Sequence, residues 1–100
     1  MIDWARVAGF DWDAGNARKS ADKHGVTQAE AEQAFFNQPL LVLSDDRHSA
    51  LEQRFQALGR TEAGRRLQIT FTLRRNATLI RVVSARDMSA KERVVYDQDA

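Results

Sequence analysis

The side chains in this chain that could do chemistry are mostly cationic. Twelve Arg and three Lys stand against fourteen Asp and Glu, and there is no Cys. A guanidinium offers a planar fork of donors that matches phosphate and carboxylate oxygens. Glu52 and Arg54 are two residues apart in a stretch that alternates polar and apolar, so both point to the polar side. Arg74 closes the polar side of the next alternating stretch. Arg86 ends the stretch after that, and Arg81 lies within it. If these stretches are neighbouring strands, three guanidiniums and one carboxylate gather on one open sheet face as an anion site. The pattern leaves open whether Arg81 or Arg86 joins them. It equally allows Glu52 to pair with a cross-strand Arg, an ordinary arrangement of a solvated face.

Around that face stand a few further candidates. His24 follows Lys23 where a helix is expected to end, and either caps the helix or meets an anion there. His48 lies in a polar turn before Glu52. Tyr96, Arg93 and Lys91 share the last predicted helix and could bind RNA or cover the sheet. Trp4 and Trp12 could stack on bases or anchor the core. Two His without Cys do not make a zinc site. Asp45-Asp46 lacks the spacing and the Gly of a calcium loop. No Gly-rich phosphate loop precedes a helix. No metal or cofactor is expected.

The elements that must position these residues are readable from caps and periodicity. Asp13 caps a first helix through His24, with Gly25 as its C′ residue. Thr27 and Glu30 form a capping box for a second helix, which Asn37 and Pro39 end. Leu40 to Leu43 is a short strand, followed by a polar turn at Asp45–Arg47. Residues 51–57 and 67–74 alternate with period two. Arg75-Asn76-Ala77 is a hairpin turn, and Thr78 to Ala85 is the next strand, with mixed faces that suggest a central position. Ser89 caps a last short helix. A short strand near Arg6–Phe10 is an option. The expected fold is a single α+β domain over residues 1–100. It has two N-terminal helices, an antiparallel sheet of about four strands and a short C-terminal helix, with the helices on one sheet face.

Composition agrees with one globular domain of 100 residues with 43% hydrophobic and 29% charged side chains. Net charge is +1, but the halves differ. Residues 1–50 carry five Lys and Arg against eight Asp and Glu, residues 51–100 ten against six. The cationic half points to an anionic partner. The longest apolar run, Leu40 to Leu43, is far too short to span a bilayer. The first thirteen residues carry three Asp and no long apolar stretch, so no secretory signal is expected and the cytoplasm is the expected compartment.

The order of these short motifs resembles one known family. Phe10-Asp11-Trp12-Asp13, then Lys23-His24-Gly25-Val26, look like the N-terminal signature of the BrnT toxins of bacterial type II toxin–antitoxin systems. The likeness continues through Glu30-Ala31, Phe36 and Pro39, and His48-Ser49 with Glu52 and Arg54. It goes on with Gly59-Arg60, Phe71-Thr72 with Arg74, and Arg81 to Arg86. Lys91-Glu92-Arg93 and Tyr96 close it. Asn16, Ser20 and Gln28 depart from the pattern, where Lys, Asn and an aromatic residue are common.

The resemblance implies a RelE-like fold and a ribonuclease that arrests translation, neutralised by a BrnA-type antitoxin. Contact with operator DNA would then run through the antitoxin alone. Symmetric assembly on a two-fold operator points to two toxins with two antitoxins. Cleavage without a metal needs a base for the 2′-OH, cations for the phosphate oxygens and an acid for the leaving 5′-oxygen. Arg54, Arg74 and Arg86 are the candidate phosphate stabilisers. Glu52, His48 or His24 could move protons. Lys23, His24, Arg81, Arg93 and Tyr96 are candidate RNA contacts. The residues do not assign the acid and the base. They also leave room for an RNA-binding or regulatory module that works without catalysis, as a repressor with its antitoxin.

Overall fold

A computed structural model describes residues 2–48 and 52–99, with the side chains of Ser20 and His48 outside the description. The chain forms helices α1 (Ala14–His24), α2 (Gln28–Phe36) and α3 (Ala90–Gln98). Its strands are β1 (Gly9–Phe10), β2 (Leu41–Asp45), β3 (Arg54–Arg60), β4 (Arg66–Arg74) and β5 (Leu79–Asp87). They make one sheet in the order β1-β5-β4-β3-β2.

The capping chemistry acts as the residues suggest. Asp13 accepts from the Asn16 backbone at 2.9 Å while Asn16 Oδ1 accepts from the Asp13 backbone at 2.7 Å. Thr27 with Glu30 and Ser89 with Glu92 form reciprocal capping boxes. Gly25 ends α1 with φ of 65°, a conformation open to Gly at little cost.

Two expectations change. The sheet has five strands and is mixed, because β1 pairs in parallel with β5 at Leu79 and Ile80. Two residues are too few to leave a periodic signal. The helices also do not share one face. Phe55, Ala57, Ile69, Phe71, Val82 and Ala85 are buried on one side of the sheet, and α2 packs there with Ala31, Ala34 and Phe35. Phe35 meets Phe71 edge-on at 5.2 Å, and Phe71 stacks on Phe55 at 5.4 Å. On the opposite side α3 crosses part of the sheet, burying Gln68 and Tyr96. Tyr96 donates from its hydroxyl to the Pro39 carbonyl at 2.6 Å, and Arg66 pairs with Asp97. Helix α1 stands beside β5. Beyond β1, the Asn16 amide donates to the Val82 carbonyl at 3.2 Å, so a side chain serves an edge that no strand pairs. The departure from the family pattern at Asn16 is therefore a structural bond.

Trp12 acts as an anchor, packing against the core and donating to Glu32 at 2.7 Å, whereas Trp4 stays 42% exposed with its ring 6.4 Å from that of Phe35.

Gly59 marks the closest approach of α2 to the sheet. A Cβ there would lie 2.6 Å from the Ala34 carbonyl oxygen. The oxygen it would meet is backbone and a Cβ has no freedom to turn away, so relief requires moving the helix. Gly59→Ala should destabilise the fold by about 2 kcal/mol, read as a shift of the denaturation midpoint at unchanged slope.

Candidate active site

The sheet face opposite α2 is built in rows by the strand register. Asp45 and Arg54 are partners on β2 and β3, Gln56, Thr70 and Ser84 form the next row, and Leu58, Gln68 and Arg86 the one after. A bulge at Thr70/Phe71 leaves Val83 as an extra residue on β5, and it fixes the register that periodicity left open. Because α3 buries Gln68 and ties to Arg86, the middle of the face opens from Gln56, Thr70 and Ser84 onward.

A pocket of about 410 Å³ opens there. Helix α1 contributes Lys19, Lys23 and His24, and the sheet contributes Arg54, Arg86, Asp45, Gln56, Thr70 and Ser84. Lys19 and Lys23 are one turn apart and so present their ammonium groups from the same face of the helix. Four cations and one imidazole face a single carboxylate, Asp45, which accepts from Gln56 Nε2 at 3.1 Å.

Arg86 sits at the rim where α3 arrives. Its two terminal nitrogens donate to Glu92 at 2.8 and 3.0 Å, and one also donates to the Asp87 carbonyl at 3.0 Å. The fork-to-fork pair holds the Glu92 carboxyl below its usual range and favours the charged guanidinium. Arg86 is thus both a pocket residue and the tie between β5 and α3.

The remaining candidates lie elsewhere. Arg74 and Glu52 form an exposed ion pair at 2.9 Å, but Glu52 precedes β3, which begins at Arg54 rather than near residue 51, so the pair is not cross-strand, and neither residue lines the pocket. Arg81 donates to Asp13 at 2.8 Å and stands 3.8 Å from Asp11. Its guanidinium holds the Asp13 carboxyl below the usual range. Arg93 donates to the Met88 carbonyl at 3.0 Å on α3. Tyr96 is 2% exposed, and burial pushes its hydroxyl up from the ordinary tyrosine value. It packs α3 onto the sheet, where its edge lines a cleft with Arg60 and Arg66. The backbone of His48 closes the short helical turn Asp46–His48, but its side chain lies outside the described residues, as does Leu51.

Of the residues singled out from the sequence, the fold gathers Arg54, Arg86, Lys23 and His24. Lys19, Gln56, Thr70 and Ser84 complete the pocket and were not singled out. The four-residue spacing of Lys19 and Lys23 was the available signal. No cluster of three or more His, Cys, Asp or Glu able to hold a metal occurs among the described residues.

A family model for the ribonuclease toxin BrnT of type II toxin–antitoxin systems matches residues 12–92. The chain belongs to the BrnT family. The matched segment holds every pocket residue from Lys19 to Arg86 and ends on Glu92, the partner of Arg86. A search of curated proteins found no match. Membership of BrnT makes the chain one of a family of ribonuclease toxins of type II toxin–antitoxin systems, which implies an antitoxin partner. No helix among the described residues is long and apolar enough to cross a membrane.

Proposed function

We propose that this BrnT chain cleaves RNA in the pocket between α1 and the open sheet face, without a metal. The observation that carries this reading is the convergence of Lys19, Lys23 and His24 with Arg54 and Arg86 around the neutral donors Gln56, Thr70 and Ser84. A phosphodiester in this pocket meets cations from two directions, α1 on one side and β3 on the other. Arg54 and the two Lys take the non-bridging oxygens, whose charge grows as the 2′-OH attacks phosphorus. Thr70 and Ser84 add neutral donors to the sugar-phosphate chain. The imidazole of His24 is the pocket group able both to accept and to give a proton, and it serves the 2′-OH or the leaving 5′-oxygen. Glu52 and Arg74, at the far end of the same face, flank the path of the RNA beyond the cleaved bond.

In the cell the reaction arrests translation in the cytoplasm. A BrnA-type antitoxin neutralises it in an assembly of two toxins and two antitoxins, and only the antitoxin contacts operator DNA. The test is cleavage of a model RNA by the purified chain with excess EDTA. Full activity is expected. Activity lost in EDTA and restored by a divalent ion would replace the cation-centred reaction with a metal-dependent one. RNA bound tightly but left whole would make the pocket a binding site alone.

A further inference from the structure

We propose that the apolar groove between β2 and α3 is the anchor site of the antitoxin. Its occupant is an amphipathic helix of about nine residues whose acidic end lies over the basic pocket. The assignment of that end rests on the pocket being the cleavage site.

Helix α3 crosses the sheet over β3 and leaves Leu43 of β2 exposed. The uncovered strip forms a groove of about 650 Å³ with Leu41, Leu43 and Leu58 on its floor and Val95 on its α3 wall. Leu43 is 69% and Val95 53% exposed, a concentration of aliphatic surface that marks an interaction site. The slot is shaped for a second helix beside α3. Its floor follows the four residues Leu40 to Leu43, which span about 14 Å at 3.4 Å per residue. A helix rising 1.5 Å per residue covers that distance in about nine residues. Apolar side chains at i, i+3, i+4 and i+7 would then face Leu41, Leu43 and Val95.

The charge around the groove selects this occupant over two others. Glu92 and Asp99 line the groove, with Lys91 as its one cation among the described residues. Among the described residues it offers no aromatic ring, so RNA finds neither stacking nor a cationic track there. A second copy of this chain, docked by the same face, would bring two cationic pockets to one two-fold axis. Gln56 lines both the groove and the basic pocket, so the two are continuous. A helix in the groove therefore reaches Lys19, Lys23 and Arg54 with its end, where acidic residues are favoured. Anchoring and blocking are then separate parts of one segment.

The experiment titrates purified antitoxin into the wild-type toxin and into the double variant Leu43→Asp, Val95→Asp. Both positions are exposed, and circular dichroism with RNA cleavage verifies that the variant folds and acts. The expected result is antitoxin affinity lowered by roughly 30-fold or more, the scale of losing an apolar hot spot, with cleavage of free RNA unchanged. Leu43→Ser alone, a milder change, should weaken binding less and in the same direction. Unchanged affinity in both variants overturns the proposal, and so does a variant that loses only self-association of the toxin in sedimentation. Arg54→Ala separates the two readings. If it leaves cleavage intact while the groove variants lose the antitoxin, the groove stands and the placement of the cleavage site fails.

Discussion

Arg54→Ala should lower RNA cleavage by roughly 10²–10³, the usual cost of removing one preorganised donor from a developing oxyanion. Arg54 reaches the pocket from β3, opposite Lys19 and Lys23 on α1, so the guanidinium and the two ammonium groups meet a phosphate from different sides. Its strand neighbour Phe55 is buried while Arg54 itself lies on the other side of β3, and its removal leaves no core cavity. The loss should fall on kcat, because charge on the phosphate grows between ground and transition states. Lys19→Ala and Lys23→Ala should act more on KM, since flexible ammonium groups hold the bound chain as point charges. Arg74→Ala is the contrasting variant. Arg74 is half exposed and paired with Glu52, a pair worth about 0–1 kcal/mol in stability, and its loss should reduce cleavage far less than that of Arg54. Equal losses for the two would move the reacting phosphate toward the Arg74–Glu52 end of the face.

Much of this arrangement is readable from residues, and the limits follow from what one-dimensional patterns hold. Caps are local, so Asp13, Thr27 and Ser89 announce their helices within four residues. Alternation likewise defines β4, and it assigns Arg54 and Arg74 to the side away from the Leu and Phe core, while leaving the choice between Arg81 and Arg86 open. The position of α3 is different. Val94 and Val95 stay exposed while Tyr96 is buried, so the helix has no broad apolar stripe to show which layer it joins. Its docking rests on pairings such as Arg86–Glu92 and Tyr96–Pro39, whose partners depend on tertiary contact. The extra residue at Val83 shifts the register of β5 inside an apolar run, where no polar marker reports it. The pocket itself joins α1 to the sheet across more than sixty residues of sequence. Lys19 and Lys23 could be seen to share a helix face, but nothing local says that the face looks onto Ser84.

The same long-range logic makes Arg65 the residue whose loss should most damage both fold and site. It leaves the turn between β3 and β4 and joins three elements at once. Its guanidinium donates to Asp87 at 2.7 and 3.0 Å, to Glu30 at 3.2 Å, and to the carbonyls of Gly25 at 2.9 Å and His24 at 3.4 Å. Those carbonyls are where α1 ends, so Arg65 holds the turn of α1 that carries Lys23 and His24 to the pocket. Arg65→Ala should cost roughly 2–4 kcal/mol, because a partly buried charged hub is removed while its acceptors remain. RNA cleavage should fall as well, through a misplaced α1. The loss of stability should also depend on pH. Arg65 holds the Asp87 carboxyl below its usual range. The Thr27 backbone N–H, and then Arg65, do the same for Glu30. Depressed carboxylates contribute stability that is present above their unfolded values, 3.8 and 4.5 here, and lost as pH falls through the lower folded values. The gap between wild type and Arg65→Ala should therefore be widest near neutrality and narrow progressively below about pH 4. Urea midpoints measured from pH 7 down to pH 3 read it directly. A gap that stays constant over that range would show that Arg65 acts through its carbonyl contacts alone, with the two carboxylates as bystanders.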